Sequence, residues 1–181
     1  CIYTYEYINN VWTELNVIDY GANQGTQLGR SISLNNDGTI IAIGYPGMNR
    51  VRVLGRDKGG PIWSFKGGII TTSTDFANST TSNCISLNSD GTVLSVGVER
   101  DTANGVYRSG KVKVYQYVAG SNLYNGTWAQ LGGDIVGVAQ NSYTGYSTEL
   151  NNDGTILAVG SPGVQSNKGE VRVFQYMSNH S

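Results

Sequence analysis

Histidine is almost missing from this 181-residue chain: the single one, His180, stands beside the carboxyl end. That scarcity removes Ser-His-Asp and Cys-His nucleophile arrangements and histidine-built metal centres together. Cysteine is scarce too, with only Cys1 and Cys84 and no C-x-x-C pair. Two cysteines allow a Cys1–Cys84 disulfide, a bond to a neighbouring molecule or two free thiols, and the sequence leaves all three open. Three prolines are too few for a proline-rich disordered tract. Charged residues amount to 14%, against a usual share of ~25%. The net charge of −1 gives no electrostatic reason to expect a nucleic acid or an anionic membrane as partner. No apolar run approaches the ~20 residues of a membrane-spanning helix. The fingerprints G-x-x-x-x-G-K-[ST] and G-x-G-x-x-G after a strand are absent as well. No cofactor is expected.

What is present is glycine, with 25 residues, about twice the ordinary share of ~7%, and a polarity supplied by Asn, Ser, Thr and Tyr. Thr, Tyr, Val and Ile fit pleated strands, while Gly and Asn accept the dihedrals of turns. The chain also repeats itself. "SLNNDGTIIAIG" from Ser33 returns as "SLNSDGTVLSVG" from Ser86 and as "ELNNDGTILAVG" from Glu149. The pairs Asp37-Gly38, Asp90-Gly91 and Asp153-Gly154 stand between two apolar arms, a strong signal for a tight turn with glycine at positive φ. The arm after each turn is almost continuously apolar and reads as a buried strand.

Two further motifs keep the same beat. "NRVRVL" from Asn49, "GKVKVYQY" from Gly110 and "GEVRVFQY" from Gly169 alternate apolar and polar residues, and the opening "CIYTYEY" follows them. Tryptophan marks the third, in "VWTELNVI", "IWSF" and "TWAQLGGDIVG". One unit therefore reads as a V-x-V strand, a Trp strand, the S-L-N-x-D-G arm and the I-L-A-V-G arm. Four strands per ~60 residues is the strand count of a propeller blade. The expected fold is all-β: about three four-stranded antiparallel blades in one domain, with units near 1–48, 49–109 and 110–168 and an extra strand at 169–177. Since propellers use four to eight blades, completion by self-association or by a larger propeller is expected. The middle copy departs most from the others, with Val98-Glu99 where they have Tyr45-Pro46 and Ser161-Pro162.

"LGRSISLNNDGTIIAIGYPG" and "GYSTELNNDGTILAVGSPG" resemble the FG-GAP class of β-propeller repeat, with "TWAQLGGDIVG" similar to the Trp segment that precedes such repeats in extracellular and surface proteins. The resemblance covers essentially the whole chain and implies a propeller used for adhesion, ligand binding or scaffolding. Integrin-like members bind calcium in the loop before the buried strand through several oxygens. Here each loop carries one carboxylate, too few for a calcium shell of six to eight oxygens. No metal is expected.

The acids lie in repeat-equivalent turns or loops, and nothing singles out a catalytic pair, so no enzyme is expected. Trp12, Trp63 and Trp128 share one repeat position and are read as packing between blades. Tyr124, Tyr143 and Tyr146 stand in loop-like surroundings and are candidates for stacking on sugars. Asn78 and Asn125 head glycosylation sequons, with a third at Asn179, which lean toward a secreted protein. The expected function is a non-catalytic extracellular or surface protein for assembly or adhesion, partnered with copies of itself in a ring or filament. A lectin-like module with glycans as partners is the alternative.

Overall fold

The structure, a computed structural model, describes residues 1–18, 27–72, 84–122 and 124–177. Strands β1 (Ile2–Ile8) and β2 (Val11–Ile18) form a two-stranded antiparallel hairpin. Its turn is Asn9-Asn10, both at positive φ, as the right-handed twist of a two-residue hairpin requires. A second sheet contains β3 (Ile32–Leu34), β4 (Ile40–Tyr45), β5 (Arg50–Arg56) and β6 (Trp63–Phe65), in that order, with β7 (Ile70–Thr71) also on β5. The third repeats this layout with β8 (Cys84–Leu87), β9 (Val93–Val98), β10 (Lys111–Val118), β11 (Thr127–Gln130) and, on β10, β12 (Ile135–Val136). The fourth has β13 (Ser147–Leu150), β14 (Ile156–Ser161) and β15 (Glu170–Gln175). Every named pairing is antiparallel.

The strands of each sheet follow one another along the chain, and the second and third sheets each run from the S-L-N arm to the Trp strand. The units traced from the sequence run half a repeat out of phase with this grouping. The phase is set by hydrogen bonding: the arm after each D-G turn pairs with the V-x-V strand that follows it, Ala42 opposite Val53, Val96 opposite Lys113 and Ala158 opposite Val173.

Three apolar clusters hold the sheets to one another. The first lies between the hairpin and the second sheet, around Ile18, Ile43, Tyr45 and Leu54. The next joins second and third sheets through Ile40, Val51, Val53, Leu87, Leu94 and Val96. The last joins third and fourth through Val93, Val112, Leu150, Leu157 and Val159. Strand β8 touches both β3 and β13, so the three S-L-N strands lie side by side along one edge of the assembly. The arms β4 and β9 are buried on nearly all positions, as their continuous apolar sequence implies. Strand β14 alternates instead. One position shows why: Val51 and Val112 are 0% exposed, while Val171, their repeat equivalent on β15, is 73% exposed. No described residue covers the outer face of the fourth sheet there.

Candidate functional site

Residues that recur in every copy serve the fold. Asn35 Oδ1 accepts a hydrogen bond from Ile40 N at 2.8 Å, and Asp37 Oδ1 accepts from Thr39 N at 3.0 Å and from Thr39 Oγ1 at 2.6 Å. Asn88, Asp90 and Thr92, and then Asn151, Asp153 and Thr155, repeat the arrangement. Gly38, Gly91 and Gly154 close these loops at φ +69°, +67° and +76°. The motif is thus wider than the Asp-Gly pair: Asn-x-Asp-Gly-Thr carries its own internal bonds. The threonine hydroxyls, more than the backbone amides, hold the Asp37 and Asp153 carboxyls below the usual carboxylate range. Successive turns are also joined directly, Asn36 N donating to Ser89 O at 3.0 Å and Ser89 N to Asn152 O at 2.9 Å.

The tryptophans divide. Trp128 packs into the cluster between second and third sheets, 5.3 Å from the Tyr117 ring, and its Nε1–H donates to Lys66 O at 2.8 Å. Trp63 packs likewise against the cluster beside the hairpin, with the Arg56 guanidinium 5.2 Å from its ring. Trp12 does not follow them. It is 69% exposed and touches the Tyr7 ring at 5.3 Å. Each packed tryptophan leans on the sheet before its own, whereas Trp12 has its ring contact within its own hairpin.

Tyr124 is committed to structure: its hydroxyl donates to Asp57 Oδ1 at 2.9 Å, and its carbonyl accepts from Gly67 N. Burial first, then the Asp57 carboxylate, raises its pKa. Tyr143 is half-buried at φ +52° with Gly163 packed against its ring position. Only Tyr146 offers an exposed ring, beside an open cleft lined by Ser161, Pro162, Lys168 and Glu170. Asn125 is exposed, but its amide already donates to Ser121 Oγ at 2.7 Å. Asn78 lies outside the described residues, as does Asn179.

Of the options the sequence leaves open for the cysteines, a Cys1–Cys84 disulfide is not formed: both thiols are free. Cys84 begins β8 and is clamped by β13 of the next sheet, accepting from Thr148 N at 3.1 Å and donating to Thr148 O at 3.5 Å. Burial is the main cause that raises its pKa, Thr148 N opposes it, and the Glu149 and Glu99 carboxylates add to it. A thiol so held stays protonated at neutral pH and is a poor nucleophile.

The residues that break the repeat are the ones with chemistry to offer. Where the other copies have Pro46 and Pro162, the third sheet has Glu99, and its residue is only 3% exposed. Arg100 Nε lies 3.6 Å from Glu99 Oε1. Asp101, also buried, takes an ion pair from Lys111 Nζ at 3.0 Å. Lys113 Nζ stands 3.3 Å from Asp134 Oδ1, and Gln130 Nε2 donates to that same oxygen at 2.7 Å. Two buried carboxylates with a row of cations thus gather where β9 ends and β10 begins, beside the protonated Cys84 thiol. Buried charge is costly unless paired, so a cluster used in one sheet alone points to a task beyond folding. The signal was legible as the departure at Val98-Glu99, although sequence reasoning assigned it to degeneracy. Among the described residues no three His, Cys, Asp or Glu side chains form a metal-binding group.

No family model matches the chain, and no curated protein matches it either. Solved structures do. A Bacteroides fragilis protein provisionally described as a 6-phosphogluconolactonase is 14% identical, with a TM-score of 0.59 over 87% of this chain and 37% of its own. A Bacteroides uniformis protein of the same provisional description is 14% identical, with a TM-score of 0.57 over 93% of this chain and 46% of its own. A Lactobacillus plantarum protein is 14% identical, with a TM-score of 0.58 over 97% of this chain and 52% of its own. The chain therefore spans about half or less of the length of these neighbours. At this identity the likeness is one of fold, propeller-like and almost wholly β. It corrects the expectation of a non-catalytic surface protein for assembly or adhesion, with a lectin-like module as alternative, and the expectation of no enzyme. Two of these three neighbours carry the provisional description of a 6-phosphogluconolactonase.

Proposed function

We propose that the chain belongs to a propeller-like hydrolase acting on a sugar-derived lactone, and that the second, third and fourth sheets are successive blades of it. One observation carries the reading: the buried Glu99–Asp101 pair stands among cations where the third sheet departs from the Pro46 and Pro162 of the other copies. Opening a lactone requires water to be deprotonated as it attacks an ester carbonyl, and a positioned carboxylate supplies that general base. Glu99 takes this role. Asp101 is tied to Lys111 and holds the lysine beside Asp134 at 3.8 Å. Arg100, partly exposed, supplies positive charge for an acidic substrate. The fold neighbours described as 6-phosphogluconolactonases support a phosphorylated sugar lactone as the substrate class.

The test is hydrolysis of 6-phosphogluconolactone, followed as loss of hydroxamate-reactive lactone and corrected for spontaneous opening. Wild-type protein should accelerate the loss. Glu99→Gln should lower the rate by roughly 10²-fold or more, the usual weight of a general base, with an unchanged melting curve. A Glu99→Gln protein as active as the wild type would remove Glu99 from the reaction. No acceleration by the wild-type protein would remove the lactone reading.

A further inference from the structure

The sequence contains two Asn-Gly pairs, Asn104-Gly105 and Asn125-Gly126. Such a pair can modify itself. The glycine amide nitrogen attacks the asparagine Cγ, the Cγ–Nδ2 bond breaks, and the amide proton departs with the Nδ2 group as ammonia. A succinimide ring is left. Water then opens the ring at either carbonyl, giving aspartate or, with the main chain rerouted through the side chain, isoaspartate. Glycine favours the attack because no Cβ shields its nitrogen. A fold suppresses it by engaging the side-chain amide, the nitrogen or the space between them.

Asn125 is engaged at every point. Its Nδ2 donates to Ser121 Oγ at 2.7 Å, its Oδ1 accepts from Asn122 N at 3.0 Å, and Gly126 N donates to the Tyr117 hydroxyl at 2.9 Å. A Cβ on Gly126 would collide with Val118 O. The three Asp-Gly pairs, open to the same ring closure, are held as firmly: Gly38, Gly91 and Gly154 donate their N–H to Asn35 O, Asn88 O and Asn151 O, and threonine hydroxyls occupy the carboxylates. Asn104 differs. Asn104 and Gly105 are both exposed, the Asn104 amide bonds to no described residue, and a Cβ on Gly105 would meet nothing within 4 Å. Asn104 stands at φ 53° and ψ 30° in the short turn Ala103–Gly105, which a bond from Val106 N to Ala103 O spans at 3.0 Å. That turn must open before the nitrogen reaches Cγ, and it lies at the surface, where local opening requires least free energy.

We infer that Asn104 is a modification site, converting through a succinimide with Gly105 to aspartate and isoaspartate in the folded protein while Asn125 stays intact. Both products add a negative charge to the loop that carries Glu99, Arg100 and Asp101. Isoaspartate also lengthens the main chain by a methylene between Ala103 and Val106, so the bond from Val106 N to Ala103 O no longer closes the turn. Ala103 O accepts from Ser109 Oγ as well, at 3.4 Å, and Asp101 O accepts from Gly110 N at 3.0 Å. The altered turn therefore pulls on the bonds that seat the loop where it enters β10, and the candidate site ages ahead of the rest of the chain.

Incubation of the folded chain in mildly alkaline buffer, followed by proteolysis and peptide mass mapping that separates aspartate from isoaspartate, tests this. Asn104 should be lost ahead of Asn125 by about tenfold or more, since three hydrogen bonds must break at Asn125 before the ring can close. In urea, with both pairs released, the two rates should converge. Gly105→Ala should slow the loss at Asn104 severalfold by shielding the nitrogen. Tyr117→Phe, which removes the acceptor of Gly126 N, should speed the loss at Asn125; it acts at the other pair, and so covers the case in which Gly105→Ala fails to fold. Asn125 lost as fast as Asn104 in the folded chain, or Asn104 intact under conditions in which the urea-unfolded chain reacts, overturns the site. Indifference of Asn104 to Gly105→Ala, or of Asn125 to Tyr117→Phe, overturns the protection argument on which the site rests.

Discussion

Ser33 Oγ accepts a hydrogen bond from Leu87 N at 3.0 Å, reaching from one sheet into the next, and Ser86 Oγ does the same for Leu150 N at 3.0 Å. The S-L-N motif thus contains a connector as well as a turn. Removing the Ser86 hydroxyl strands a buried amide, which costs about 1–3 kcal/mol. Ser86→Ala should lose that much in chemical denaturation, and a loss under about 0.5 kcal/mol, the level of an ordinary surface substitution, would deny the connector its weight.

Glycines at the three turns are not equivalent. Gly38 and Gly91 share positive φ, but an added Cβ meets nothing at Gly38 and comes within 2.6 Å of Ile40 Cδ1 at Gly91. Gly38→Ala should therefore cost about 1 kcal/mol through the backbone alone. Gly91→Ala should cost clearly more, because Ile40 belongs to the neighbouring sheet and must shift. Equal midpoints for the two variants would contradict this packing.

Acid should loosen the turns. The Asp37 and Asp153 carboxyls lie below their ordinary value of 3.8. A depressed folded pKa contributes stability that is fully present above the unfolded value and is lost as pH falls through the folded one. Melting temperature should thus fall below about pH 4. The Thr39→Val, Thr155→Val double variant, which lacks both hydroxyl donors, should show a smaller fall between neutral pH and pH 3, since less of its stability depends on these carboxylates. An undiminished fall would place the acid sensitivity elsewhere.

Lys66 occupies a position where the other copies have Leu15 and Leu131, and it is buried, its Nζ 3.7 Å from the centre of the Tyr117 ring. Burial lowers its pKa from 10.5, with Asp90 opposing. The unfolded chain holds this proton more tightly, so stability should rise with pH on approach to the ordinary lysine range. Lys66→Leu should be at least as stable as the wild type at neutral pH and should lack that alkaline rise. Clear destabilisation would show that the contact with Tyr117 outweighs desolvation.

The turns and buried arms were legible because Asn35, Asp37 and Thr39 bond within a few residues, and local chemistry repeats visibly. The phase of the sheets was not, since a periodic sequence has no origin until hydrogen bonding assigns one. Trp12 was misplaced because its type and position match Trp128, while its burial depends on a neighbour that position cannot reveal. Tyr124 appeared free because its partner, Asp57, is 67 residues away. Glu99 was visible as an irregularity, yet only its burial among charges distinguishes a site from drift.

The turn-to-turn bonds run entirely through backbone: Asn36, Ser89 and Asn152 engage by N–H and C=O, with no side-chain atom involved. These residues fill the one unspecified place in Asn-x-Asp-Gly-Thr. Identity there is free, and the change from asparagine to serine at residue 89 is accommodated without loss of a bond. Length is not free. One residue inserted in any of these turns would displace an amide from its acceptor, and in the Ser89 turn it would cut the string on both sides, so this rim admits substitution and resists insertion.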